Sequence, residues 1–536
     1  MIDLTEYKNK NAGDEIKASE WNELLSKIEE GSNINVPVTD VLVNGESVVT
    51  TDGIAKIDLK EDVSEELEFY VNGELQTVPE DGVIKLAAEG TYVLKGELNG
   101  QILISATADV ASDTFLILDG VTIKTDSGEN YGIMYAPDAE TLHVILPVNT
   151  SNYISCTHEA AMVSEQKAAL YSEKNLIVQG NGMLTVLNKG GHGIKASELR
   201  IMGNPTIVAE ANHDAIHGNS ALDIYGGTFK VTGANDAFGT GETGSINVFG
   251  GSFEANNVLQ NVFDSKVAGF FYTKVPIVTS LASIDGVINN MTDVDPSTKF
   301  GVGTVTCYSD SDMTLDETAI TAVDGVYSLS TAYAKVTGYV EGTIAATLQS
   351  TDVSLNSAYI KGSITYPLEK KKLQITAEKE TVNFIVGTNT AINSTKNVAI
   401  EVKSKSYLEI QSAEGSGLVG VDVTINDSKG VLVIQNCGKY GIDGKTIYIG
   451  TDADNKGQTF DGALVVSGNK ICDICATLRA DKTDTVEGGT ISILDSGLHG
   501  TVTVGSIDVK QYIDLNSSKK VAYNSITGIV IGNPIK

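Results

Sequence analysis

The sequence is poor in cysteine, in long apolar runs and in signal-like segments, and each shortage excludes a class of protein. Five cysteines in 536 residues are too few and too scattered for a disulfide framework, which favours folding in a reducing compartment. No apolar run approaches the roughly 18 to 20 residues that a membrane helix needs, so we expect no membrane insertion. The segment from Met1 to Trp21 lacks a basic start and an apolar core, and we expect no cleavable secretion signal.

Positive charge is also scarce. The chain has 69 acidic and 38 basic residues, a net charge of −31, and only two arginines, Arg200 and Arg479. Neutralising phosphates requires clustered Lys and Arg, so the charge argues against nucleic acid as a partner and against unaided binding of acidic polysaccharides. Neutral glycans, acidic glycans bridged by cations and protein partners remain. A simpler interpretation of the charge is that it keeps a long β-rich chain soluble and discourages exposed strand edges from pairing with other molecules.

A repeat of 22 to 24 residues is the clearest pattern in the chain. The segments GHGIKASELRIMGNPTIVAEAN, NHDAIHGNSALDIYGGTFKVTGAN and NDAFGTGETGSINVFGGSFEANN follow one another. Aligning them places Leu170, Ile194, Ile216 and Phe238 in one column, and a second column holds glycines: Gly180, Gly203, Gly226 and Gly250. Within each unit, apolar residues alternate over short runs that Gly and Asn turns interrupt, which is typical of strands.

This repeat predicts an all-β fold built on a parallel β-solenoid. Each unit supplies three short strands that form one rung. No rung can bury its apolar face alone, so the stack of rungs forms the core. We expect the column of Ile194, Ile216 and Phe238 to point inward on consecutive rungs.

An amphipathic helix is predicted near the start of the chain. Ser19 can cap it, and the apolar residues Trp21, Leu24, Leu25 and Ile28 recur at helical spacing. This stripe either docks on its own domain or joins a partner, and we expect it to mediate oligomerisation or attachment to a larger assembly.

Two copies of a small β-unit follow the predicted helix. VLVNGESVVTTDGIAKIDL and FYVNGELQTVPEDGVIKLA share Asn-Gly turns at Asn44-Gly45 and Asn72-Gly73, and Asp-Gly turns at Asp52-Gly53 and Asp81-Gly82. Asn-Gly and Asp-Gly between apolar runs are the strongest short-range signals of a β-hairpin. We therefore expect tandem hairpin modules.

The composition and the repeats predict five segments. They are an attachment helix at 1–33, hairpin modules at 34–89, the parallel β-solenoid at 90–271, an irregular β connector at 272–371, and a second repetitive β-block at 372–536. The last block has strand-like patterning with less regular lengths, which suits a second solenoid or a sandwich-like stack.

The solenoid segment resembles a known family. GTYVLKGELNGQILI, FLILDGVTIKTDSGENYGIMYAPDAETLHVIL, AALYSEKNLIVQGNGMLTV and the repeats above resemble the carbohydrate-binding-domain family of right-handed parallel β-helices from gut and cellulolytic bacteria. The resemblance implies a β-helix that binds polysaccharide, acidic polysaccharide above all, with calcium at the rung corners. The family's Asp-Gly-Ile element falls on Asp214-Ala215-Ile216 and Asp236-Ala237-Phe238, but on His192-Gly193-Ile194 and Tyr131-Gly132-Ile133 in other rungs. Only two of four rungs keep the carboxylate.

Four oxygen-bearing side chains could hold a cation. Asn212, Asp214, Asn235 and Asp236 occupy equivalent turns one rung apart, and rungs are spaced by roughly 4.8 Å. Calcium accepts six to eight oxygen ligands, so we name these four as a candidate Ca²⁺ site. The competing interpretation is that stacked Asn and Asp satisfy the backbone groups of their own turns.

Two further patterns are compatible with metal binding but weaker. His213 and His217 flank Asp214 in an HDxxH string, yet the sequence shows no third ligand for zinc. Cys472 and Cys475 form a single CxxC without a partner pair, and we expect buried strand thiols there.

The head of the chain has a resemblance of its own. NKNAGDEIKASEWNELLSKIEE followed by VLVNGESV resembles the leader of virion fibre proteins in phages that infect Bacteroides-type gut bacteria. It implies a non-enzymatic fibre or appendage, assembled in the host cytoplasm, that presents a β-helix to glycans. Its partners would be other virion proteins and further copies of itself, with a homotrimer favoured over a dimer.

Two alternatives stay open from the sequence. The first is a bacterial extracellular or surface polysaccharide-binding protein. The second is a tailspike that depolymerises glycans, because paired carboxylates roughly 5 to 9.5 Å apart hydrolyse glycosidic bonds. A lyase would need a basic residue and is less favoured than a hydrolase, because the basic residues near the repeat turns are limited to Lys189, Lys195, Arg200 and Lys230. No catalytic residue is assigned.

Overall fold

The computed structural model describes most of the chain after residue 67. Described are residues 42–43, 46–47 and 68–528, the last range with gaps at 89, 106–112, 127–130, 137–140, 148, 159–167, 275–278, 285, 349, 368–371, 426–428, 451–461, 477–489, 494–500, 510–511 and 516–520. Contacts divide the chain into two compact units, Met1–Glu66 and Leu67–Lys536.

The fold is all-β, as predicted, and its core is a parallel β-solenoid of about 13 turns. A two-stranded hairpin in the first unit consists of β1 (Leu42–Val43) and β2 (Glu46–Ser47). A 22-stranded sheet forms the first solenoid of the second unit. Its strands are β3 (Phe69–Val71), β4 (Glu74–Leu75), β5 (Val83–Ala87), β6 (Gly90–Asn99), β7 (Gln101–Ser105), β8 (Thr114–Thr125), β9 (Ile133–Tyr135), β10 (Thr141–Leu146), β11 (Ser151–Cys156), β12 (Ala168–Ser172), β13 (Asn175–Gly180), β14 (Met183–Asn188), β15 (His192–Gly203), β16 (Thr206–Ala211), β17 (Ile216–Ile224), β18 (Thr228–Thr232), β19 (Phe238–Thr240), β20 (Ser245–Val248), β21 (Gly251–Asn256), β22 (Asn261–Phe271), β23 (Thr279–Ile284) and β24 (Val287–Asp293).

A 21-stranded sheet forms the second solenoid. A short helix, α1 (Pro296–Phe300), precedes it, and Asp295 caps that helix by accepting from the backbone of Ser297 and Thr298. The strands are β25 (Thr304–Tyr308), β26 (Thr318–Ile320), β27 (Val326–Ser328), β28 (Tyr333–Ala345), β29 (Thr351–Tyr366), β30 (Lys372–Ala377), β31 (Val382–Gly387), β32 (Ile392–Ser394), β33 (Asn397–Val402), β34 (Tyr407–Ser412), β35 (Leu418–Val419), β36 (Asp422–Ile425), β37 (Val431–Gln435), β38 (Tyr440–Gly444), β39 (Thr446–Ile449), β40 (Ala463–Ser467), β41 (Cys472–Ala476), β42 (Thr490–Ile493), β43 (Thr501–Val509), β44 (Tyr512–Leu515) and β45 (Val521–Gly528).

The inward column of the first solenoid is the one that the repeat predicts. Leu170 pairs with Ile194, Ile194 with Ile216, and Ile216 with Phe238, all in parallel register. All four side chains have no exposed surface. Phe238 continues the column onto the ring of Phe263, with centroids 4.7 Å apart. The expected stacking of Ile194, Ile216 and Phe238 is therefore confirmed.

Close backbone approach explains part of the glycine column. Gly180 pairs with Gly203 across consecutive rungs, and both have a positive φ, 116° and 75°. A Cβ added to Gly203 would lie 2.9 Å from the carbonyl oxygen of Gly180, and one added to Gly226 would lie 2.5 Å from that of Gly203. A side chain at these turns would force the rungs apart, so glycine recurs there.

Both solenoids use the same buried Thr-x-Asn corner. In the first, Asn152 Oδ1 accepts from the backbone of Gly120 and Val121, both at 3.0 Å, while its amide donates to Thr150 Oγ1 and to the carbonyl of Met183, both at 3.1 Å. One side chain thereby joins three consecutive rungs.

The second solenoid repeats this arrangement with Asn383. Its Oδ1 accepts from the Ala358 backbone at 2.9 Å, and its amide donates to Thr381 Oγ1 at 2.7 Å and to the Tyr407 carbonyl at 3.4 Å. Buried backbone groups need partners, and these two asparagines supply them where the ladder turns.

One predicted hairpin turn, Asn72-Gly73, is formed where the sequence places it, whereas Asp81-Gly82 leads into β5, which pairs in parallel with β7. Tyr70 pairs with Leu75 in antiparallel register around Asn72-Gly73. Leu42 also pairs with Ser47 in antiparallel register, but Asn44-Gly45 and Asp52-Gly53 lie outside the described residues. Asn72 and Gly73 both have a positive φ, 52° and 81°, as a type I′ turn requires.

The solenoid boundaries differ from those drawn from the sequence. At the start, β5 already pairs in parallel with β7, so rungs begin at Val83 and not at 90. At the end, β23 and β24 continue the stack to Asp293, beyond the predicted limit at 271. Register shifts within these last pairings obscure the repeat in the sequence.

The predicted irregular connector at 272–371 also belongs largely to the two solenoids. β28 and β29 pair in parallel over 13 positions, and β29 in turn pairs in parallel with β30, β31 and β32 of the next rung. Within the block at 372–536, the described strands β30 to β45 continue the same parallel solenoid, whose inward column contains Ile344, Ile364, Ile392, Leu418, Ile442 and Ile474.

An apolar seam joins the two solenoids. Tyr225 and Phe249 of the first stack on Tyr407 of the second at 5.3 and 4.9 Å between ring centroids, and Tyr272 stacks on Phe384 at 6.2 Å. Rungs that come later in the first solenoid thus meet rungs that come earlier in the second. The chain runs along one solenoid and returns along the other.

The predicted oligomerisation stripe, Trp21, Leu24, Leu25 and Ile28, lies outside the described residues. Within the described part of the chain, no helix has the length and apolar character needed to cross a membrane.

Candidate functional site

Two polar columns flank the buried column of the first solenoid. Two positions before Ile194, Ile216 and Phe238, the repeat carries His192, Asp214 and Asp236. One position after them, strand register aligns a second column, namely Tyr171, Lys195, His217, Gly239, Asp264 and Asn289. Parallel stacking therefore places these side chains at neighbouring heights, roughly 4.8 Å apart from rung to rung.

The two columns line one open cleft of about 560 Å³, which we call the polar cleft. Its lining combines a half-exposed aromatic ring, two lysines, carboxylates and amides: Tyr171, His192, Lys195, His213, Asp214, His217, Asn219, Asn235, Asp236, Thr240, Gly241, Glu242, Gln260, Asp264 and Lys266.

Asp214 is the centre of a cluster of imidazoles. His217 Nδ1 lies 2.7 Å from Asp214 Oδ2, and since a carboxylate only accepts, Nδ1 carries the proton of this hydrogen bond. His213 Nδ1 lies 3.2 Å from Oδ1, and His192 Nδ1 lies 3.6 Å from Oδ2. Burial opposes ionisation of Asp214, but hydrogen bonds from His213 and His217 outweigh it and hold its pKa below the usual range.

His192 is a neutral imidazole in this environment. Its Nε2 lies 3.3 Å from Lys195 Nζ, and because an ammonium only donates, Nε2 accepts. Burial lowers the pKa of His192 well below its usual value, and the nearby His217 and Lys195 lower it further. His192 is 1%, Asp214 3% and His217 7% exposed, although the cleft beside them is open.

The rungs that follow the histidines carry two carboxylates, Asp236 and Asp264, and each accepts hydrogen bonds from neighbouring residues. Asp236 Oδ1 accepts from both the backbone and the amide of Asn261, at 2.8 and 3.0 Å. Burial raises the pKa of Asp236, while the hydrogen bonds from Asn261 oppose that rise. Asp264 accepts from Lys266 Nζ at 2.5 Å and from the amide of Asn289 at 2.7 Å.

Gly239 leaves the space that the Asp214 carboxylate occupies. It follows His217 in the second column, where the other rungs carry side chains. A Cβ at this position would lie 2.7 Å from Asp214 Oδ2 and 3.3 Å from His217 Nδ1. Glycine here keeps the histidine–carboxylate pair intact.

The four predicted calcium ligands are not all brought together. Asp214, Asn235 and Asp236 line the polar cleft, whereas Asn212 is exposed and lines a different cleft with Lys189 and Glu210. Calcium binding by the remaining three residues stays a prediction. Around Asp214, the neighbours are imidazole nitrogens and not the hard oxygens that calcium prefers.

Sequence reasoning missed the contribution of His192 to this cluster. The HDxxH string by itself offers no third ligand, and His192 supplies a third group from the preceding rung. The signal is present in the repeat, because His192 aligns with Asp214 and His217 follows Asp214 by three residues.

The CxxC pair lies elsewhere. Cys472 and Cys475 are both buried within β41 of the second solenoid, and both are thiols, as predicted. Cys472 Sγ donates to the carbonyl of Ile474 at 3.3 Å.

Comparison with known proteins bears on the solenoid that carries this cleft. Residues 80–269 match the family described as "Carbohydrate-binding domain-containing protein". All residues of the polar cleft fall within that range. The first solenoid is therefore similar to a carbohydrate-binding β-helix, as the sequence resemblance implied.

Two other comparisons add little to this match. No curated protein is significantly similar to the chain. A solved structure entitled "Structure of the polysaccharide lyase-like protein from C. thermocellum, Gadolinium derivative" aligns with 42% of this chain and 100% of its own, at 23% identity and a TM-score of 0.33.

Proposed function

We propose that the first solenoid binds a polysaccharide in the polar cleft and that Tyr171 stacks on a sugar ring. One observation carries the proposal, namely that the polar cleft lies wholly within the residues that match a carbohydrate-binding domain. Binding sites of this kind combine an aromatic surface with a few convergent polar groups, and Tyr171, Asn219 and Gln260 supply both.

The preferred ligand is a neutral polysaccharide. Four carboxylates, those of Asp214, Asp236, Glu242 and Asp264, line the polar cleft against two lysines. The net charge of the chain is −31, which also repels a polyanion. Neutral hydroxyl groups can both accept from the lysines and donate to the carboxylates.

Titration calorimetry against neutral and uronic-acid polysaccharides tests this proposal. Tyr171→Ala should weaken binding at least tenfold, while Tyr153→Ala, at another half-buried tyrosine of the same solenoid, should leave it unchanged. Binding that survives Tyr171→Ala, or that appears only with acidic glycans, would contradict the proposal.

A second proposal, made from the sequence, concerns the larger assembly to which the protein belongs. In it, the glycan-binding solenoid belongs to a non-enzymatic fibre or appendage of a bacteriophage virion. What favours it is the resemblance of the head of the chain to virion fibre leaders, together with the apolar stripe of Trp21, Leu24, Leu25 and Ile28. A bacterial surface polysaccharide-binding protein would use the same cleft.

Truncation separates these two settings. Removal of the residues before Ile34 should leave a folded body that no longer joins particles. Isolation of the protein from bacterial cell surfaces in cultures without phage would instead favour the surface-binding alternative. Release of reducing ends from a bound polysaccharide would favour the tailspike depolymerase.

A further inference from the structure

Half of the histidines in the chain converge on one carboxylate. The sequence has six histidines, and three of them, His192, His213 and His217, contact Asp214. One ligand atom each from His192, Asp214 and His217 lies within 4.8 Å of the other two. Two of these residues come from one rung and the third from the rung before it, so the solenoid stacking itself assembles the group.

The spacing of these atoms suits a metal ion. Zinc bonds of about 2.0–2.1 Å in a tetrahedron place neighbouring ligand atoms roughly 3.3 Å apart. Asp214 Oδ2 lies 2.7 Å from His217 Nδ1 and 3.6 Å from His192 Nδ1, which brackets that separation. Small side-chain shifts would therefore open the group to an ion without moving the backbone.

The chemistry of the ligands selects the class of ion. Two imidazoles and one carboxylate favour zinc, cobalt, nickel or copper, whereas calcium and magnesium take oxygen ligands. We propose that His192, Asp214 and His217 bind one divalent transition-metal ion, with its remaining coordination positions facing the polar cleft. His213 holds the second oxygen of Asp214 and orients the carboxylate.

Lys195 competes with the metal. Its ammonium donates to His192 Nε2 at 3.3 Å, which places the imidazole proton on Nδ1, the nitrogen that faces Asp214. A metal at the Nδ1 atoms of His192 and His217 requires that each of these nitrogens lose its proton, to solvent or to Nε2 of the same ring, and that Lys195 move away from Nε2 of His192. Replacing Lys195 with a neutral residue should therefore tighten metal binding.

The proposal does not depend on glycan binding, and cobalt is a suitable probe. Tag-free, chelator-treated full-length protein is titrated with Co²⁺ and Zn²⁺ by calorimetry, while the visible absorption of Co²⁺ reports its ligands. Wild type should bind one ion saturably, without the thiolate charge-transfer band that a cysteine site would give. His192→Gln and Asp214→Asn should each weaken binding at least tenfold, and Lys195→Gln should strengthen it several-fold.

His143 provides a matched control. It is a buried histidine on the same solenoid that lies 3.1 Å from Asp113, and it belongs to no three-residue metal group among the described residues. His143→Gln should leave Co²⁺ affinity unchanged. Thermal unfolding of every variant confirms that it is folded before the titrations are compared.

Three outcomes would overturn the proposal. They are no saturable binding of either ion by wild type, unchanged affinity in folded His192→Gln, and binding of Ca²⁺ alone. The last would favour the calcium prediction for Asp214, Asn235 and Asp236.

Discussion

The ring of Tyr407 in the second solenoid stacks on the ring of Tyr225 in the first, with centroids 5.3 Å apart and planes 16° from parallel. The hydroxyl of Tyr407 donates to Glu409 at 2.6 Å, which places a carboxyl group inside the same apolar seam. Glu409 also accepts from Gln435 at 2.8 Å and is fully buried. The seam that joins the solenoids therefore contains a buried, titratable carboxyl group.

Glu409 should make stability depend on pH. Burial raises the pKa of Glu409 from 4.5 to about 7, although the hydrogen bonds from Tyr407, Gln435 and Gln411 lower it in part. The folded state thus binds the proton more tightly than the unfolded state. The cost of ionising Glu409 is absent below pH 4.5, grows between pH 4.5 and 7, and is constant above pH 7.

Glu409→Gln should remove this cost, stabilising the protein at pH 8 by up to roughly 3 kcal/mol and leaving it little changed at about pH 4.5. Denaturant unfolding at the two pH values measures the difference. Glu341→Gln, at an exposed glutamate of the same solenoid, is the control and should show no such gain. A variant that is equally unstable at both pH values would mean that packing, and not charge, governs this position.

Ile216→Asp should destabilise the first solenoid by several kcal/mol, because it buries an unpaired carboxylate between Ile194 and Phe238. Thr228→Asp, on the exposed face of a neighbouring strand, should change the free energy of unfolding by less than about 0.5 kcal/mol. Equal melting temperatures for wild type and Ile216→Asp would refute the inward stacking.

Asn152→Ala should cost about 1 to 3 kcal/mol, because the buried backbone N–H of Val121 loses its acceptor, whereas that of the exposed Gly120 can turn to water. Asn383→Ala should have a similar effect, since Asn383 holds the equivalent corner of the second solenoid. Asn175→Ala, at a half-buried strand end, serves as the comparison. If all three variants unfold at the same denaturant concentration, the corner hydrogen bonds contribute no stability.

Gly239→Ala should displace the Asp214 carboxylate from His217, at a cost of about 1 to 3 kcal/mol, because the added Cβ would lie 2.7 Å from Asp214 Oδ2. The test is a double-mutant cycle with Asp214→Ala, which shortens the side chain that the added methyl group would meet. The cost of Gly239→Ala should largely vanish in that background. An undiminished cost would place the strain in the backbone.

Core positions could be predicted from the sequence because residues that align between repeats occupy equivalent positions on successive rungs. Leu170, Ile194, Ile216 and Phe238 recur at intervals of 22 to 24 residues, so aligning the repeats places all four in one apolar column. The Asn72-Gly73 hairpin was predictable for a similar reason, because few residue pairs accept two consecutive positive φ values.

Solenoid boundaries could not be predicted in this way. Between Tyr339 and Tyr359 a rung takes 20 residues, and between Tyr359 and Phe384 it takes 25, so no constant period is visible there. Parallel pairing tolerates such differences, because loops of any length can connect one strand to the next.

The site was predictable only in part. Asp214 and Asp236 can be named from their turns, but the role of His192 depends on the stacking of one rung on the next. The space beside Asp214 depends on the missing side chain of Gly239. The seam was not predicted, because it pairs outward faces of two distant parts of the chain and no local pattern records which face meets which.

Because the chain returns along the second solenoid, the seam has a consequence for the order of folding. Tyr225, Phe249 and Tyr272 are synthesised well before Phe384 and Tyr407, the rings that cover them. A nascent first solenoid therefore displays a row of aromatic rings to solvent until the later rungs form. Such long-range closure is slow and exposes surfaces that aggregate, so growth temperature and chaperone supply should govern the yield of soluble protein.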